Sequence, residues 1–592
     1  MKRIKTYSVF LILLLSGMVS CKKDFLDRQP KNLVAESVAY SSVSGVTALT
    51  VTLYNDLPAE DFNYTVSDEA GYLSTTTDEA VRTYVWGNIN NAVIGNWFGD
   101  WDYARIRRVN DFIEKVPGAA IDNDSKKRFL AEARFIRAFE YFALVKRYGG
   151  VPLVTRVQTY QTGDDVSGLV VPRNKEQEIY DFISAELDAV AADLPEDYSS
   201  DPANAFRANR YSALALKCRA MLYAASSAKY GTLQLNGLVG INSSMANSYW
   251  QKSLDAADLI IKSGKYRLYD VNADKAANFQ QLFLTLGNQE AILTKVFQSP
   301  GKTHSFDFYN APQSFKIDYG NTTNPTLEMV EEYEYTDGSP GILKVNDNAG
   351  NPIIYNRPAD LFKGKDPRMF ASILTPFDSW QGGILEVRRG VIDNGVKRTS
   401  ESLTAVYPAG GTFSIVGKDG PLTTGDPSKT GFYIKKFMDP VNRVPSERST
   451  TPWMVFRYGE VLLNYAEAAF ELGNNGAAMD VINQLRSRAG IAPLSMVTLD
   501  KIRHERKVEL AFENHRFWDL RRWHIASTVL NNTQFHALYP WIMWQNGADP
   551  NTMKYTFEKA VAPKLSRTFP EKLYLEPLPQ QNPPYIQNPG YQ

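Results

Sequence analysis

The sequence predicts a mostly α-helical protein, with about four tetratricopeptide-like helical pairs forming a scaffold beneath a large, irregular, loop-rich face. Three observations carry that reading. Apolar residues recur at i, i+3/i+4 through residues 36–57, 102–264 and 452–530, the period of helices that bury one stripe. Residues 266–450 are instead rich in Gly, Pro, Asn and Thr, and residues 531–592 are irregular and end Pro/Asn-rich. Finally, Lys501–Trp523 mixes charges with aromatic and aliphatic residues that need burial.

In chain order, Glu36–Leu57 has helical spacing, and Asp102–Val116 follows a long loop-like stretch. In Lys126–Tyr148 apolar residues surround the middle of the helix, with Ala131, Ala133, Ala138 and Ala143 allowing close neighbours. Gly149 is placed to end it in a left-handed cap, and Pro152 prevents continuation. Arg134 and Arg137 on this helix are expected to meet buried acceptors. Lys175–Asp193, Asn209–Lys229, Ser248–Ser263, Pro452–Leu472 and Gly476–Ala489 continue the helical pattern. Ala291–Phe297 and Phe432–Phe437 are short strand-like runs within the insert. In Lys501–Trp523, Glu505, Glu509 and Glu513 recur at i, i+4, which predicts acids and bases on one ridge. Asn514 is expected to end that helix in the left-handed region, with a second helix starting near Arg516. Glu505, Arg506, Glu509, Glu513 and Arg516 are then expected to lock a helix pair through largely desolvated ion pairs.

The N-terminus reads as a leader. Met1–Lys5 is basic and Val9–Leu15 is a short apolar run, too short to span a bilayer permanently. Gly17-Met18-Val19-Ser20-Cys21 resembles a relaxed bacterial lipobox, so residues 1–20 are expected to be a signal peptide and Cys21 the lipidated first residue. Residues 21–592 are expected to form one domain. Lys+Arg and Asp+Glu balance at 65 each, so no general field attracts nucleic acid. Two cysteines, Cys21 and Cys218, make neither a disulfide framework nor a metal cluster.

Several stretches, in order and spacing, resemble the SusD/RagB family of outer-membrane nutrient-binding lipoproteins of Bacteroidetes type. They are CKKDFLD from Cys21, WDYARIRRVN from Trp101, RAFEYFALVKRYGGVPLV from Arg137, KDPRMFASIL from Lys365, FRYGEVLLNYAEA from Phe456, Lys501–Trp523 and the terminal QNPGY. The resemblance covers essentially the whole mature chain. It implies a SusD-like fold with an irregular ligand-binding face, tethered at the cell surface through Cys21. It also implies a glycan ligand and a SusC-like TonB-dependent transporter as partner. Asn514 stands where the family often has Gly.

Aromatics make up 12% of the chain, and two loop regions combine them with orienting polar groups, as a sugar-stacking platform requires. The first holds Asp68, Tyr72, Arg82, Trp86, Asn88, Asn91 and Trp97; the second holds Phe308, Tyr309 and Tyr319, with Trp380 outlying. The resemblance implies that the two regions converge. Trp86 and Trp97 are the leading individual candidates, and the alternative for each aromatic is packing beneath its own loop. Catalytic patterns are poor. His504-Glu505 lacks the second His of a helical zinc motif, and Glu505 and Glu509 share one helical face rather than flanking a bond. Asn346–Gly350 and Asp122–Asp124 offer oxygens without a full calcium loop, so no catalytic residue, metal or cofactor is expected. Peptide capture within the family, or a purely structural tetratricopeptide lipoprotein, is the alternative to glycan capture.

Overall fold

The computed structural model of the chain describes residues 36–63, 72–83, 98–163, 165–563, 566–581 and 584–591. Residues 1–20, expected to be a signal peptide, and Cys21, Asp68, Trp86, Asn88, Asn91 and Trp97 lie outside the described residues. Helices dominate. In chain order the main ones are α1 (Val43–Asn55), α2 (Tyr103–Lys115), α3 (Asn123–Tyr148), α4 (Glu176–Ala191), α5 (Arg210–Tyr230) and α6 (Ala246–Ser263). Then come α7 (Lys275–Leu284), α8 (Tyr458–Glu471), α9 (Asn475–Ala489), α10 (Leu499–Glu509) and α11 (His515–Arg522). No described helix is long and apolar enough to cross a membrane.

The scaffold is a stack in which α3 packs on α4, α4 on α5, α5 on α6, α6 on α8 and α8 on α9. The chain leaves this stack after α6 and returns at α8, so the large insert interrupts the repeats in sequence but not in space. α3 is buried on nearly every side through its middle, and the charged Glu132, Arg137, Glu140 and Arg147 are buried with its apolar residues. Local signals set its ends. Asp122 accepts from the Ser125 N–H at 2.8 Å, and Gly149 takes φ +70° at the other end. A Cβ on Gly150 would collide with the Asn174 carbonyl, so the turn out of α3 requires its glycines.

Three expectations change. Pro452–Leu472 is not one helix: Trp453–Arg457 forms a strand antiparallel to Ala291–Lys295, and α8 starts only at Tyr458. The valine and the two aromatics of WMVFR favour that largely buried pleat. The insert holds α7, which Asp274 caps by accepting from the Ala276 and Ala277 N–H groups, both at 3.0 Å. The C-terminal region contributes β-structure too. His536–Met543 pairs antiparallel with Tyr555–Val561 and parallel with Gly390–Asp393, and Val396–Thr399 completes a four-stranded sheet.

The charged stretch folds as α10, a corner and α11. Glu505 and Glu509 lie on α10, but the helix stops at Glu509, and Phe512 and Asn514 take φ of +63° and +62°. Glu513 therefore sits in the corner, not on the ridge of α10. The Asn514 side chain also donates to the Glu60 carbonyl at 2.8 Å, a bond that glycine does not supply.

Candidate functional site

Lys501–Trp523 carries many charges, and the structure commits them to the scaffold. Arg368, Glu505 and Glu509 are completely shielded from solvent, with Arg368 Nη1 2.6 Å from Glu505 and 2.9 Å from Glu509. Arg457 bridges Glu290 at 2.7 Å, Glu509 at 2.9 Å and Glu513 at 2.7 Å. Arg488 pairs with Glu290 and Glu509, Arg486 with Glu334 and Glu505, and Lys436 with Glu513. Burial alone would raise the Glu509 carboxyl, but Arg488, Arg457 and Arg368 together hold it well below the usual carboxylate range. A carboxylate held ionised by three guanidiniums is a poor proton donor.

The same logic extends to α11. Asp519 lies between Arg506 and Arg522, each 2.8 Å away, and Glu467 accepts from Arg522 at 2.7 Å and from the Trp523 indole at 2.8 Å. Arg516 and Lys507 converge on Asp78 at 2.8 and 2.9 Å. These pairs tie α10, α11 and the corner between them to Asp78, Arg368, Lys436, Arg457, Glu467 and α9. Arg134 and Arg137 both reach Glu186 at 2.7 Å, as α3 packs on α4. Cys218 is fully buried, and its thiol is pushed up to about 12 by burial. The candidate calcium oxygens are used locally. Asp347 accepts from the Ala349 and Asn351 N–H groups at 2.9 and 2.8 Å, and Asp122 caps α3. Among the described residues no group of three or more His, Cys, Asp or Glu is arranged to hold a metal.

The irregular face is different. The two aromatic regions come together through Ala80–Arg82 and Thr323–Pro325, which pair antiparallel with Arg82 opposite Thr323. The Thr83 hydroxyl donates to the Asn321 carbonyl, and the Asn324 amide donates to Thr83 at 2.6 Å. Next to this clasp stand three mutually contacting rings. Phe308 lies 5.2 Å from Tyr309 and 6.0 Å from Tyr319, and the two tyrosines are 6.5 Å apart, edge-on or tilted. Tyr319 is 56% exposed, and Phe308 and Tyr309 are half-buried, so the cluster presents aromatic surface to water.

Tyr72, Arg82 and Trp380 are placed otherwise than a presenting loop would place them. Tyr72 is buried, 5.0 Å from the Phe306 ring. Arg82 is buried within the clasp itself, opposite Thr323, and Trp380 is buried in a two-residue hairpin with Gly383. Gly, Asn and Thr around an aromatic read alike whether its ring is folded under the loop or turned outward.

The fold and face define a class: a helical tetratricopeptide-type scaffold with a ring-bearing, loop-built surface. Comparison with known proteins agrees. The model of the SusD family matches residues 289–591, and a second model, described as starch-binding associating with outer membrane, matches residues 24–222. The chain belongs to the SusD family. It is 22% identical over 536 residues to a SusD-like protein of Bacteroides ovatus, covering 86% of this chain and 82% of that one. A SusD-like protein of Formosa agariphila is 23% identical over 566 residues, covering 91% and 96%. Among solved structures, a SusD-like protein from Bacteroides fragilis superposes with a TM-score of 0.70 at 24% identity, over 95% of this chain and all of the other. A SusD-like carbohydrate binding protein from the same species gives 0.68 at 24%, over 92% and 98%.

Proposed function

We propose that this chain is a surface-exposed outer-membrane lipoprotein, anchored at Cys21, that binds oligo- or polysaccharide without turning it over. It passes that glycan to a SusC-like TonB-dependent transporter for import. The observation that carries the reading is the exposed cluster of Phe308, Tyr309 and Tyr319 beside the clasp that joins the two aromatic regions. A sugar ring has an apolar face and a hydroxyl rim, and an aromatic plane flanked by polar groups complements both. Trp86 and Trp97, with Asp68, Asn88 and Asn91, are proposed on sequence grounds to extend the same surface.

Two further facts support the reading. The family description names starch binding and the outer membrane, and one structural neighbour is titled a carbohydrate binding protein. Binding without turnover is favoured because Glu505 and Glu509, the carboxylate pair that sequence singles out, are fully engaged by arginines. Affinity electrophoresis of the unlipidated chain through gels containing a broad glycan panel tests the proposal. At least one polysaccharide should retard the protein, with no new reducing ends. Uniform failure across the panel, with binding of peptides instead, overturns the glycan reading.

A further inference from the structure

Away from the ring face, α3, α4 and α5 meet α11 and the C-terminal segment 571–590 around a cavity of about 410 Å³. That volume is in the range of small-molecule sites. Its floor is buried and its rim is open, with Thr232, Gln234 and Glu571 exposed at the entrance. Tyr180 on α4 and Tyr223 on α5 line the floor and are only 2% and 5% exposed. Among the described residues neither hydroxyl has a hydrogen-bond partner, only longer-range neighbours such as Glu176 and Asp519. Neither oxygen is sealed in protein, so both hydroxyls open on the void and are left for whatever fills it.

The other floor groups narrow the chemistry. Glu176 accepts from the Ser227 hydroxyl at 2.6 Å and from the Gly240 N–H at 2.7 Å, leaving each oxygen a further lone pair. Of the cations around it, Lys146 lies 2.8 Å from Glu60, Arg522 lies 2.8 Å from Asp519 and 2.7 Å from Glu467, Arg521 packs on the Phe517 ring and Lys572 on the Tyr591 ring. Glu176 makes no ion pair among the described residues, and burial raises its carboxyl, which disfavours the ionised form and favours a hydrogen-bonding guest over a charged one. The unspent groups are two phenol hydroxyls and a hydrogen-bond-accepting carboxylate, set against the rings of Tyr180, Tyr223 and Trp518. We propose that this cavity is a second binding site, separate from the exposed ring face, that takes a single sugar ring or a comparable small uncharged polyol.

One wall of the site is the C-terminal segment, which is tied down by Asn588. That side chain donates to the Tyr148 carbonyl at 3.0 Å and the Glu576 carbonyl at 2.8 Å, and it accepts from Arg173 at 2.9 Å. An occupant touching both helices and this segment links the docking of the segment to the presence of the sugar. The inference does not depend on glycan capture at the ring face, since the two sites share no residue.

Saturation-transfer NMR on the full mature chain tests it, with glucose, galactose and xylose as neutral probes and glucuronate and glucosamine as charged ones. Transfer to at least one neutral sugar is expected, together with slower amide exchange in residues 571–591. Tyr180→Phe combined with Tyr223→Phe removes only hydroxyls that bond nothing in the protein, so a native melting temperature should be retained while affinity falls about tenfold. Tyr319→Ala should leave this signal unchanged, which separates the cavity from the ring face. The proposal is overturned by no transfer to any neutral sugar, by preference for a charged probe, or by a signal that the double Phe variant leaves intact.

Discussion

Arg368 donates to Glu505 across 2.6 Å, with both side chains completely out of solvent and the two residues 137 positions apart in sequence. The insert and the C-terminal part of the scaffold are thereby joined by charge inside the core. Burying these ions is costly, and the contacts offset that cost only while every partner is present.

Truncating one member should therefore damage the fold rather than the ligand face. Glu509→Ala leaves Arg368, Arg457 and Arg488 facing an empty position, and a loss of about 3–5 kcal/mol in unfolding free energy is expected. Denaturant titration followed by circular dichroism measures it. A Glu509→Ala chain of native stability that had lost glycan binding would contradict the structural assignment.

Gly459 lets the cluster approach α8. A methyl there would overlap the Arg457 guanidinium and lie 2.7 Å from Glu290 Oε1. Although Ala is the better helix former, Gly459→Ala should destabilise the protein by about 1–3 kcal/mol through displaced ions. A thermal melt of the variant at or above that of the parent would show that the cluster yields without cost.

Glu79 and Glu140 make a distinctive contribution to pH dependence. Burial pushes each carboxyl from its ordinary 4.5 up to about 8, against the Phe512 N–H in one case and Arg105 in the other. Between those values the folded chain holds a proton that the unfolded chain has lost. Their stabilising contribution is therefore complete below about pH 4.5 and is lost as pH rises through about 8, by up to about 1.4 kcal/mol per group per pH unit. Lys146 and Lys365, depressed by burial to about 7, act in the opposite sense above neutrality. The diagnostic is hence a difference: Glu79→Gln with Glu140→Gln should gain on the parent between pH 6 and pH 9. Parallel curves would show that the two carboxyls titrate normally.

Much of the scaffold was legible because periodicity reports burial directly: α3, α5 and α9 lie within a few residues of their expected bounds. Other features depend on contacts that sequence does not display. The strand Trp453–Arg457 borders a strongly helical segment, and its strand-favouring residues are realised as a strand by pairing with Ala291–Lys295, a partner that lies far away in sequence. Tyr180 and Tyr223 have ordinary core spacing on their helices; that their hydroxyls meet a void depends on the C-terminal segment crossing above them. Phe308, Tyr309 and Tyr319 stand out in sequence as aromatics of a loop-like stretch, although Phe308 and Tyr309 sit on the short helix Phe306–Asn310, whereas the inward packing of Tyr72 and Trp380 follows from the clasp and the hairpin around them.

The ring face is most directly tested by isothermal calorimetry with the polysaccharide that retards the chain in gels, comparing the parent with Tyr319→Ala and assaying reducing ends in the same cell. The expected result is saturable binding by the parent and about tenfold weaker binding by a normally folded Tyr319→Ala, with no reducing ends from either. Equal affinity in the two proteins, or release of product by the parent, would contradict capture of glycan on these rings without turnover.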